Sequence, residues 1–192
     1  MARPTQFDRD VVLQRASRIF AQHGYEGTST EDLLKAMGVG RQSLYNAFGD
    51  KWQLYLEVLR QYTSESVGDQ LRTLNSVASP VDGIKALLLR MVNDAASDPA
   101  PSCLGISAIC EFGRANSEVA MISDIASRTL AAAISARVTE AQRAGTLSKS
   151  TRPDDLASFI LATLSGIKVA ARAGASRATL EGIAKTALRC IS

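Results

Sequence analysis

The chain has 192 residues, 46% hydrophobic and 21% charged, the balance of one globular domain or of one domain with a small appendage, and it excludes global disorder. The net charge of +3, from 22 Lys and Arg against 19 Asp and Glu, implies no nucleic acid by itself. Three cysteines (Cys103, Cys110, Cys190) are too few and scattered for a disulfide framework or a Cys-x-x-Cys zinc site, and the single His23 argues against His-rich metal sites and a Ser-His-Asp triad, so neither metal nor cofactor is expected.

Apolar residues recur at three and four positions with no convincing alternation, so the chain reads as all-α, with about nine helices. The first is expected over Phe7 to His23, with Val12, Ala16, Ile19 and Phe20 as its stripe and Gly24 as its stop. A second starts after Ser29 or Thr30, with Glu31 and Asp32 in its first turn, and ends at Met37–Gly38. A short third covers Arg41 to Phe48. Asp50 caps a long fourth that reaches about Asn75. Ser79-Pro80-Val81-Asp82 starts a fifth, reaching about Ala96. Ser97–Ser102, with two prolines, is expected to be a loop. A sixth helix covers Cys103 to Arg114 and a seventh Glu118 to Ala144. Thr151-Arg152-Pro153-Asp154 repeats the cap–Pro–acid signal for an eighth to Ala173, and Ser176 caps a ninth to about Cys190.

Uncharged runs such as Leu156–Ile167 reach only twelve residues, whereas a membrane span needs roughly 20. The N-terminus, MARPTQFDRD, has no apolar core and so no signal peptide is read there. No membrane partner is expected, and the cytoplasm is the expected compartment.

The informative stretch is TSTEDLLKAMGVGRQSLYNAFGDK, Thr28–Lys51. Two short helices meet across Met37-Gly38-Val39-Gly40, where Gly38 suits a tight turn needing positive φ. Leu33, Leu34, Val39, Leu44 and Phe48 can pin the helices together, leaving Arg41, Gln42, Ser43, Tyr45 and Asn46 mostly outward. That pattern is a helix-turn-helix whose second helix enters a major groove N-terminus first. Arg41 can fork onto guanine O6/N7, and Gln42 or Asn46 can pair with adenine N6/N7. Thr28, Ser29 and Thr30 offer hydroxyls and free N–H groups to a phosphate. Tyr45 and Lys51 could touch a second stretch of backbone.

Over residues 8–59 the sequence resembles the tetracycline-repressor (TetR) family of bacterial regulators, most specifically in the spacing G-V-x-x-x-S-L-Y-x-x-F-x-x-K. The resemblance implies phosphate roles for Thr28, Tyr45 and Lys51 and base-facing roles for Arg41, Gln42, Ser43 and Asn46. Ala47 departs from it, standing where many members have His or Tyr, so no contact carries over there. It implies a DNA-binding domain over 1–51 and a ligand-sensing and dimerisation domain over 52–192. In the family the last two helices of each subunit form a four-helix interface, which marks Leu156, Phe159, Ile160, Leu164, Ile167, Leu180, Ile183, Ala184, Ala187 and Leu188 as candidate dimer residues. Helices four to seven would surround an effector pocket, with Tyr55, Leu59, Tyr62, Leu88, Met91, Val92, Cys103, Ile109, Phe112, Met121 and Ile125 as candidate lining. At a helix start, Cys103 sits where the dipole favours a thiolate, which makes it a candidate redox or electrophile sensor, with Cys110 two turns on. The expected partners are a double-stranded operator, a second copy of the chain and a small-molecule effector. The expected function is a ligand-responsive repressor that binds a palindromic operator as a homodimer and is released by the effector or by thiol modification, with an activator of the same family as the alternative. An enzyme is disfavoured, because Asp94, Asp98 and Glu111 fall in no catalytic spacing.

Overall fold

The computed structural model describes residues 7–97 and 103–191, and among these it holds nine α-helices and no strand. They are α1 (Arg9–His23), α2 (Thr30–Met37), α3 (Arg41–Phe48), α4 (Lys51–Leu74), α5 (Pro80–Ser97), α6 (Leu104–Phe112), α7 (Ser117–Arg143), α8 (Pro153–Arg172) and α9 (Arg177–Cys190). Most of the expected loop over Ser97–Ser102 lies outside the described residues; Ser97 itself ends α5.

Local chemistry sets the ends. Asp8 caps α1 by accepting from the N–H groups of Asp10 and Val11, and Gly24 closes it at φ +73°. Asp50 accepts from Gln53 N–H at 2.8 Å to begin α4, and Ser79 Oγ from Asp82 N–H at 3.3 Å to begin α5. Thr151 is not the cap of α8. Arg152 holds that position without a side-chain bond, and Pro153 starts the helix through its fixed φ. Cys103 is the cap residue of α6 rather than a member of its first turn.

The chain divides into two packing units, Met1–Ser64 with Cys103–Ser123, and Glu65–Ser102 with Asp124–Ser192. In the first, α1 packs on α2 and α6. Its core holds Val12, Leu13, Ala16, Phe20, Leu33, Met37, Leu44, Phe48, Leu54, Tyr55, Leu59, Leu104 and Val119. Arg9 fastens α1 to its neighbours: its guanidinium forks onto Glu57 (2.9 and 2.7 Å) and lies 4.4 Å above the Phe48 ring.

In the second unit α5, α8 and α9 pack on one another. The core takes Ile84, Leu87, Leu88, Met91 and Val92 from α5, Ile134 and Val138 from α7, and the stripes Leu156, Ile160, Leu164, Ile167 of α8 and Leu180, Ala184, Ala187 of α9. Those stripes recur at three and four residues, one face of each helix. The α7 helix is, by length and composition alone, long and apolar enough to cross a membrane. Counting uncharged runs missed it because Asp124 and Arg128 interrupt the helix. A single such helix is weak evidence for a span.

Candidate nucleic-acid interface

The α2–turn–α3 unit is held by its turn and its caps. Ser29 caps α2 in a two-way box: its Oγ accepts from Asp32 N–H at 3.1 Å, and its own N–H donates to Asp32 Oδ2 at 3.1 Å. The Ser29 hydroxyl also donates to Asp32 Oδ2 at 2.6 Å. That hydroxyl bond first, and the backbone bond second, hold the Asp32 carboxyl below its ordinary range. Gly38 closes α2 in the left-handed region, φ +70° and ψ 32°, as the turn requires. Arg15 Nη1 donates to Met37 O at 3.2 Å across that end. Gly40 begins α3 without a side-chain cap.

Leu44 and Phe48 anchor α3 in the core, which rotates its other face outward. Arg41, Gln42, Tyr45 and Asn46 are exposed; Ser43 is half-buried. Their side chains are already organised. Arg41 pairs with Glu31 of α2, and Gln42 Nε2 donates to Asn46 Oδ1 at 2.9 Å, one turn along. Arg41, Gln42, Tyr45 and Asn46 thus share the outward side of α3.

The flanking residues divide. Ser29 is exposed and Thr30 half-buried at the start of α2. Thr28 is 1% exposed, and its hydroxyl donates to Gly24 O at 2.6 Å. The phosphate role expected of Thr28 is corrected accordingly: its hydroxyl locks the turn between α1 and α2. Lys51 is half-buried, with Nζ 4.1 Å above the Tyr25 ring. Tyr25 belongs to a cluster with Phe20, Trp52, Tyr55 and Phe112. Burial, then the nearby carboxylates of Glu26, Asp50 and Glu111, push its phenol up.

Sequence reasoning missed Glu31, Arg9, Arg15 and Glu111. Glu31 was read only as a first-turn acid. For the others no local signal existed, because their partners lie 22 to 86 residues away.

The remaining candidates are placed as follows. In the first unit Tyr55 and Leu59 are buried, Tyr62 and Phe112 pack against the core, and Cys103 is half-buried with the Tyr62 hydroxyl 3.6 Å from Sγ. In the second, Leu88, Met91 and Val92 are core residues. Ile109, Met121 and Ile125 are corrected, since all three are exposed. The inward faces of α6 and α7 carry Leu104, Ala108 and Val119 instead, a different set at the same helical period. Seven dimer candidates are also corrected. Leu156, Ile160, Leu164, Ile167, Leu180, Ala184 and Ala187 are buried in the chain's own core, and Ile183 and Leu188 pack against it. Side chains at most 5% exposed have almost no surface left to bury on a mate. Phe159 alone of the ten is exposed, on an outer α8 face with Ala162, Gly166 and Val169.

Residues 12–58 match the family model for bacterial regulatory proteins of the tetR family, and residues 80–187 match the tetracyclin repressor-like C-terminal domain. The HTH-type transcriptional repressor ComR of Escherichia coli (strain K12) is 28% identical over 189 residues, 97% of this chain and 90% of that one. YezE, an uncharacterized HTH-type transcriptional regulator of Bacillus subtilis (strain 168), is 36% identical over 113 residues; the match spans 58% of its length and 58% of this chain. A cysteine-substituted variant of the TetR family regulator CifR, solved with 26-base-pair double-strand operator DNA, aligns over 100% of both chains with a TM-score of 0.83 and 30% identity.

Proposed function

This chain belongs to the tetR family of bacterial regulatory proteins and is a DNA-binding transcriptional regulator, and we propose that it is a homodimeric repressor of a palindromic operator, released by a small-molecule effector or by thiol modification. The observation that carries this is the outer face of α3, where Arg41, Gln42, Tyr45 and Asn46 stand exposed above the buried Leu44 and Phe48. ComR is named a repressor, and the CifR variant is bound to operator DNA, which supports the same reading here. Residues 1–51 read the duplex and residues 52–192 sense and pair. A chain that reads the chromosome works in the cytoplasm.

Arg41 and the Gln42–Asn46 pair address base edges, whereas Lys51, Tyr45 and the first turn of α2 address phosphates. One short helix reads only a few base pairs. Two half-sites about one helical turn or more apart supply the rest, which requires a symmetric mate. The outer α8 face, Phe159, Ala162, Gly166 and Val169, suits close helix pairing. An effector acts only through different affinities for the binding and released conformations. Tyr55 Oη, buried with no hydrogen-bond partner, is a group such a ligand would satisfy. Cys103, at the start of α6, is the thiol whose modification would act on the same helix.

The test is transcription in vitro from a promoter overlapping a binding site selected from random duplex. Added protein should lower transcript yield, and an effector or thiol reagent should restore it. A rise in yield would make the chain an activator, and no selected site at all would remove the operator reading.

A further inference from the structure

We infer that Glu111, on α6, is a positioning residue: it holds the turn between α1 and α2 in its DNA-binding shape and makes operator affinity depend on where α6 lies. The inference rests on the operator-binding reading above. The Glu111 carboxylate accepts from two successive backbone amides, Oε2 from Tyr25 N–H at 2.9 Å and Oε1 from Glu26 N–H at 2.7 Å. A carboxylate gripping two N–H groups makes charge-assisted bonds, stronger and more directional than neutral ones.

The turn is shaped to receive it. Gly24 has φ +73°, and a Cβ there would sit 3.0 Å from Glu111 Oε2, so glycine both makes the bend and leaves room for the carboxylate. Beyond the two amides the segment is tied together. Thr28 N–H donates to Tyr25 O at 3.3 Å and Thr28 Oγ1 to Gly24 O at 2.6 Å, and the next residue, Ser29, caps α2. Moving residues 25 and 26 therefore moves the start of α2, where phosphate contacts are proposed. The adjacent residue of α6, Phe112, grips the same turn through its ring, 5.8 Å from Tyr25 and 5.4 Å from Trp52. Hydrogen bonds weaken steeply with lengthening and misalignment, so a small shift of α6 suffices to release the amides.

Glu111→Gln keeps the side chain's size, removes its charge and presents an NH₂ to one of the two amides. On a duplex selected with wild-type protein, this variant should bind about tenfold more weakly at unchanged helix content. The emission of Trp52, the chain's one tryptophan, should change with it. Equal operator affinity would overturn the inference and leave Glu111 a structural brace, even if the melting temperature fell. Amide hydrogen exchange on the wild-type protein is a second measure that needs no variant. Tyr25 and Glu26 amides should exchange slowly, and open-turn rates there would overturn the inference. Wild-type protein that selects no duplex would bring down both readings; wild-type protein that binds beside an equally tight variant would bring down this one alone.

Discussion

Arg41 and Lys51 carry the same charge but should fail differently when removed. Arg41 stands on the outward face of α3, ion-paired with Glu31, and the pair is exposed, so it contributes little to stability and costs little to exchange for the proposed guanine edge. Arg41→Ala is expected to cost about 1–3 kcal/mol of operator binding and to relax base choice, measured by anisotropy on matched and mismatched duplexes. Lys51 rests over Tyr25, and its proposed partner is a phosphate. Lys51→Ala should weaken all sequences alike and reduce the salt slope by about one unit. Ser29→Ala removes the α2 cap and should lower stability by about 1 kcal/mol in urea melts. The same cap gives a pH signature. Asp32 has a folded value depressed below 3.8, so its contribution is complete above that value and is lost as pH falls through the folded value. The Ser29→Ala variant should therefore show a flatter acid limb than wild type. At this scale the sequence was legible where a residue acts on near neighbours, as Gly38 and Ser29 do. Thr28 was misread because its hydroxyl could serve a phosphate or a carbonyl equally well, and only the folded turn brings Gly24 O within reach.

Helices α1 to α9 follow closely from spacing and caps, because both are local properties. What spacing does not reveal is which partner an apolar face meets. The α8 helix has two such faces. Leu156, Ile160, Leu164 and Ile167 turn inward, while Phe159, Ala162, Gly166 and Val169 turn out. Composition alone merged them into one interface. The two faces separate experimentally. Ile160 is 0% exposed, so Ile160→Ala should destabilise the fold by about 2–5 kcal/mol through cavity formation, with no direct effect on association. Phe159 is 41% exposed, so Phe159→Glu should leave the fold intact and shift the proposed dimer toward monomer, as read by light scattering on both variants. A Phe159→Glu protein that stays dimeric would move the proposed interface elsewhere.

Across the whole molecule, the helix-turn-helix was legible because its residues lie within Thr28–Lys51 and their spacing is characteristic. The attachment of α6 to the same packing unit was not, since Leu104 and Ala108 join a core built from α1 to α4, and Glu111 and Phe112 meet residues some 85 positions earlier. Such contacts are tertiary and leave no periodic trace. The proposed reading of DNA as a symmetric pair makes one demand: each half-site must be read by the same α3 face. The most direct measurement is selection from random duplex carried out in parallel with wild-type protein and with Arg41→Ala. Wild type should recover an inverted repeat, and the variant should lose base preference at one position in each half, at mirror-related places, with the other positions kept. Identical preferences from the two proteins, or a wild-type site without two-fold symmetry, would contradict paired recognition by α3.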